Sequence, residues 1–122
     1  MSRKYKFRDN EKLYFVSIAT VFWVDVFVRD EYKLMLIESL QYCQKHKGLE
    51  IYAWCFMPSH LHLIIGSSPE LNLPLFGIVR DFKAFTSKTM REMISSNPHE
   101  SRRKWLENMF HWKGEHNSNN HD

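Results

Sequence analysis

Residues 50–57 (EIYAWCFM) and 60–65 (HLHLII) are two β-prone runs separated only by Pro58 and Ser59. Proline cannot donate to a sheet ladder, so it ends the first run. Strands joined by so short a link must pair antiparallel. This hairpin constrains the fold more than any other feature of the chain. Alternate strand side chains share a face, so His60 and His62 leave one face while Leu61, Leu63 and Ile65 leave the other. Two imidazoles at i and i+2 can share a divalent cation with a third ligand from elsewhere. The competing reading is a pair of hydrogen-bonded strand histidines with no ligand role.

The remaining elements arrange themselves around that hairpin. Residues 13–21 (LYFVSIATV) are almost wholly apolar and predict a central strand covered on both faces. Residues 30–47 predict a helix, with Asp30 as N-cap, Leu36, Ile37, Leu40 and Cys43 as its apolar stripe, and Gly48 as a left-handed cap. A second helix is expected over 75–94, with Pro74 in its first turn. Its Leu75, Ile78, Val79, Phe82, Met90 and Met93 share one arc, and Arg80, Lys83 and Arg91 share another. A third helix is expected from Pro98 to about Trp112, with Asn97 as cap and Glu100 completing a capping box. The order is β-α-β-β-α-α. A right-handed β-α-β crossover sets the first two strands parallel. The fold class is therefore α+β, a ferredoxin-like antiparallel sheet in β-α-β-β-α order whose final strand is missing from the sequence. Residues 1–112 form the domain, and 113–122 form a polar tail expected to be flexible.

With 122 residues, 43% hydrophobic and 15% aromatic, the chain suits one domain and excludes global disorder. No apolar run approaches the ~20 residues that span a bilayer, and the N-terminus lacks an apolar signal core. Two cysteines, Cys43 and Cys55, are too few for a disulfide framework. The expectation is a cytoplasmic protein with no membrane partner. Net charge is only +3, but it is unevenly spread. Residues 1–12 carry Arg3, Lys4, Lys6, Arg8 and Lys12 against two acids. Residues 80–104 carry Arg80, Lys83, Lys88, Arg91, Arg102, Arg103 and Lys104 against three. Two basic patches on one small domain point to a polyanion.

The longer string over 54–65 (WCFMPSHLHLII) resembles the signature of the HUH superfamily, named for His, hydrophobic, His. More closely, it is similar to the small tyrosine-dependent transposases of the IS200/IS605 type, including the REP-associated ones. These commonly carry a Trp-x-x-Met-Pro-x-His-hydrophobic-His stretch. Residues 14–17 (YFVS) and 81–87 (DFKAFTS) also look like that family, and the resemblance runs in order over about residues 3–112. It implies an enzyme that cuts and rejoins single-stranded DNA beside a hairpin. A tyrosine hydroxyl attacks the phosphodiester, keeps the 5′ phosphate and frees a 3′ hydroxyl. His60 and His62 become the catalytic pair that holds Mg²⁺ or Mn²⁺. Imidazole is a borderline ligand for Mg²⁺, so phosphate oxygens must help complete the shell. Arg80, Lys83, Lys88 and Arg91, with Arg3 and Lys4 on an N-terminal arm, are the expected DNA contacts, Lys83 first among them. A homodimer is the expected assembly.

One part of the family pattern is missing. Its nucleophilic tyrosine follows the histidine strand, yet Tyr5, Tyr14, Tyr32, Tyr42 and Tyr52 all precede His60. Three readings compete. The chain is cut before a last strand and tyrosine helix; or it is a catalytically inactive DNA- or RNA-binding remnant; or an upstream tyrosine serves, with Tyr5 the candidate. A metal-free interaction domain on the same sheet is a further rival. Trp54, Phe56, Trp105 and Trp112 are expected in the core, and Cys55 as a buried small hydrophobe. His99, His111, His116 and His121 are expected at the surface.

Overall fold

The computed structural model describes residues 9–20 and 25–116. Its elements are β1 (Tyr14–Ala19), a 3-10 turn (Val26–Val28), α1 (Asp30–Lys47), β2 (Leu49–Phe56), β3 (His60–Ser67), α2 (Leu75–Ser96) and α3 (Arg103–His116). Among the described residues the sheet has three strands in the order β1-β3-β2. β3 runs antiparallel to both neighbours, so β1 and β2 are parallel to each other. That is the crossover geometry expected of a β-α-β unit with β3 inserted between its strands. The fold is α+β, as its sequence order implies.

The core lies between one sheet face and the helices. Val16 from β1 and Leu61, Leu63 and Ile65 from β3 pack with Tyr32, Leu36 and Leu40 of α1, Ile78, Val79 and Phe82 of α2, and Leu106 of α3. Burying such side chains contributes roughly 1.5–3 kcal/mol each. The other sheet face has no helix on it among the described residues. Phe15 remains 55% exposed there, and Ile64 36%. This corrects the expectation that the first strand is central and doubly covered. β1 is an edge strand, and β3 is the central one.

Local chemistry explains the element ends. Gly48 closes α1 at φ +75°, the left-handed conformation that glycine adopts without strain. Its N–H donates to the Cys43 carbonyl. Asp30 is the first residue of α1 instead of its cap, a position Arg29 holds, and its charge still favours the positive helix end. Pro74 likewise stands at the cap of α2, where it offers no capping side chain. A remote residue does that work: the Leu75 N–H donates to Asn10 Oδ1 at 3.1 Å, and Asn10 Nδ2 donates to the Leu73 carbonyl at 2.9 Å.

α3 begins five residues later than its sequence signals indicate. The Asn97 side chain accepts from the His99 N–H at 3.0 Å and makes a turn. Glu100 serves no capping box. Its carboxylate, fully buried, accepts from Tyr32 Oη at 2.9 Å and from the Arg102 N–H at 3.0 Å. Arg29 Nε lies 2.8 Å from it, an ion pair by distance without the alignment of a hydrogen bond. Arg102 also pairs with Asp25. This cluster fastens the turn before α3 to the start of α1.

Candidate functional site

His60 and His62 stand on the open sheet face. Their partners across the ladders show why there is room above them. Ala19 lies opposite His60, while Ser17 and Cys55 lie opposite His62 on either side. Small neighbours leave the two imidazoles rising from a shallow floor. Their ring centroids are 4.5 Å apart at an interplanar angle of 78°. Both side chains are partly exposed. The paired projection expected from a two-residue strand period is therefore what the fold produces.

Each ring is held differently. His60 Nδ1 lies 3.1 Å from Ser59 Oγ. His62 Nδ1 is buried and has no hydrogen-bond partner among the described residues. The Phe15 ring stacks on His62 instead, at 5.4 Å and 24°. Phe15 pairs with Ile64, so it reaches His62 along the diagonal of the ladder. Sequence reasoning missed Phe15. The available signal was its place two residues before Ser17 on a strand able to pair with the histidine strand.

β2 reaches this face through a bulge. The register shifts between Ile51 and Ala53, so Tyr52 is an extra residue. Before the bulge Ile51 faces the core beside Ile65; after it Trp54 and Phe56 take the core side, beside Leu63 and Leu61. Cys55 thus emerges opposite His62, exposed, with its thiol donating to Met57 Sδ at 3.9 Å. The expectation of a buried Cys55 is corrected. Trp54 is corrected too. It lies on the helix side, but β2 is an edge strand, and 66% of it is exposed. Phe56 packs on the core and meets Phe27 edge to face at 6.0 Å. Trp105 and Trp112 are half-exposed on α3, which also departs from the expected core role. His99 and His111 are exposed as expected.

The basic residues of α2 do not share this face. α2 packs on the opposite side of the sheet through Ile78, Val79 and Phe82. Arg80 is exposed, paired with Asp81 at 3.1 Å and set over the Phe76 ring at 5.9 Å. Arg91 donates to Ser87 Oγ at 3.1 Å. Lys83 is partly covered, and Lys88 is exposed. Arg3, Lys4, Tyr5, His121 and most of the 113–122 tail lie outside the described residues.

The described tyrosines are occupied elsewhere. Tyr14 Oη donates to the Asp9 carbonyl at 2.8 Å, and Tyr32 is buried against Glu100. Tyr42 packs on His46 of α1. Tyr52 donates to Glu50 at 2.8 Å. That bond to a carboxylate, with some desolvation, pushes the Tyr52 phenol above its usual range, opposite to what a nucleophile needs.

As donors, His60 and His62 offer two borderline nitrogens. Among the described residues no third His, Cys, Asp or Glu joins them in a cluster. By donor chemistry the pair could supply two members of a divalent-cation shell, and imidazole suits Mn²⁺ better than Mg²⁺. No described helix is long and apolar enough to cross a membrane. Residues 16–119 match the family model described as Transposase IS200 like. No curated protein matches the chain.

Proposed function

The chain belongs to the IS200-like transposase family, and from that premise we propose that it binds hairpin-bearing single-stranded DNA and a divalent cation at His60 and His62. One observation carries the reading: two adjacent imidazoles rise from a floor of small side chains on the sheet face opposite the helices. A cation bound there would supply Lewis-acid chemistry toward a phosphodiester. His60 and His62 orient it, and the small side chains of Ala19, Ser17 and Cys55 leave space for a nucleic-acid backbone.

Mn²⁺ titration followed by electron paramagnetic resonance tests the site. The wild-type chain binds, and the His60→Ala/His62→Ala double variant does not. A hairpin with a single-stranded flank binds more tightly than a blunt duplex. Binding of Mn²⁺ unaffected by loss of both histidines sinks the reading.

A second reading has its own support, because no described tyrosine is free to act beside the pair. In it, the chain binds DNA without cutting. An adduct assay on labelled hairpin DNA separates the two. A denaturant-resistant protein–DNA species that is lost in Tyr5→Phe assigns cleavage to Tyr5. Retained binding with no adduct assigns the chain a binding role alone.

A further inference from the structure

Metal-ligating histidines are usually oriented by a hydrogen bond from their second nitrogen to a carboxylate or carbonyl. His62 lacks this. Its Nδ1 is buried with no partner among the described residues, so Nε2 is the nitrogen left to act as a ligand. The terminal torsion of histidine is broad, so an imidazole without such a bond can swing. Something else must fix the ring. The candidate in contact is Phe15, which stacks on it at 5.4 Å and 24°, while His60 meets it edge-on at 4.5 Å.

The ladder explains how this contact arises. Ser17 stands directly opposite His62 and is small, so it leaves the space over the imidazole open. Phe15, one step along the same face of β1, stacks on the imidazole along the ladder diagonal. Its ring is left 55% exposed there, with the imidazole as its stacked ring partner.

We propose that Phe15 is a positioning residue for His62. In place of a polar partner it offers a stacking surface that fixes the imidazole, whose Nε2 would be the ligand atom. The inference rests on the reading of His62 as a ligand, and the experiment is chosen to tell the two apart.

Mn²⁺ affinity is measured by electron paramagnetic resonance for wild type, Phe15→Leu, Phe15→Tyr, His62→Ala and the Phe15→Leu/His62→Ala double variant. Phe15→Leu weakens Mn²⁺ binding about tenfold, the order seen when support of a ligand is lost. Phe15→Tyr restores it, since a stacking ring is present again. In the His62→Ala background Phe15→Leu has no further effect, because there is no ring left to orient. Thermal unfolding checks that Phe15→Leu remains folded, and the exposed edge position makes that the expected result. Phe15→Leu binding Mn²⁺ like wild type overturns the inference and leaves the metal site standing. An equal loss from Phe15→Leu in the two backgrounds also overturns it, by showing that Phe15 acts without His62. A wild-type chain that binds no Mn²⁺ removes the site and this inference together.

Discussion

Glu100 shows how one side chain can decide where an element sits. It is a buried carboxylate that draws Tyr32 of α1, Arg29 before α1 and the Arg102 N–H to one point. Burial alone favours its neutral form. Hydrogen bonds from the Arg102 N–H and Tyr32, with Arg29 beside them, outweigh burial, and the net shift is below the ordinary 4.5. A carboxylate depressed in the folded state adds stability above its unfolded value and loses it as pH falls through the folded value. The wild-type chain should therefore lose stability below about pH 4.5 more steeply than Glu100→Gln does. At neutral pH that variant leaves Arg29 without its anion, while Arg102 keeps Asp25, and it should cost about 3 kcal/mol. Urea unfolding across pH measures both. Matching pH profiles for the two proteins would show that Glu100 does not carry this linkage.

At the level of elements, the chain was legible wherever a short-range rule decided the outcome. The hairpin over Pro58 and Ser59, the shared face of His60 and His62, and the Gly48 cap all follow from local chemistry. What escaped reading depended on distant partners. Glu100 turns to Tyr32 and Arg29, far away in sequence, and α3 starts only at Arg103. The cap of α2 comes from Asn10, far away in sequence. The exposure of Cys55 hangs on the Tyr52 bulge, and no alternation of apolar residues announces an inserted residue. Gly48 gives a direct check on the legible part. A Cβ there would lie 3.0 Å from Ser68 Cβ and 3.1 Å from Leu71 Cβ, in a backbone conformation that L residues avoid. Gly48→Ala should lower stability by more than about 1 kcal/mol, since crowding adds to the conformational cost. On α2, Lys88→Ala should reduce the salt slope of DNA binding by about one if Lys88 meets a phosphate. Arg80→Ala should change it less, because Asp81 and Phe76 already engage that guanidinium.

Seen whole, the molecule divides its candidate site residues between two sides of one sheet. The imidazoles, Phe15 and Cys55 lie on the open side, and the α2 cations lie on the helix side. A DNA strand engaged by the imidazoles need not touch α2, and one held by α2 need not reach the imidazoles. The two cysteines can report which surface DNA occupies. Cys55 is exposed directly opposite His62, whereas Cys43 is buried in α1, where burial pushes its thiol up and disfavours the reactive thiolate. Under native conditions an alkylating reagent should therefore modify Cys55 first and leave Cys43 until unfolding. A hairpin oligonucleotide with a single-stranded flank should slow Cys55 modification in step with its own binding curve, and blunt duplex should do so only at higher concentration. If saturating hairpin leaves the Cys55 rate unchanged while Lys88→Ala weakens binding, the nucleic acid lies on the helix side. The imidazole face would then have to be assigned some other occupant.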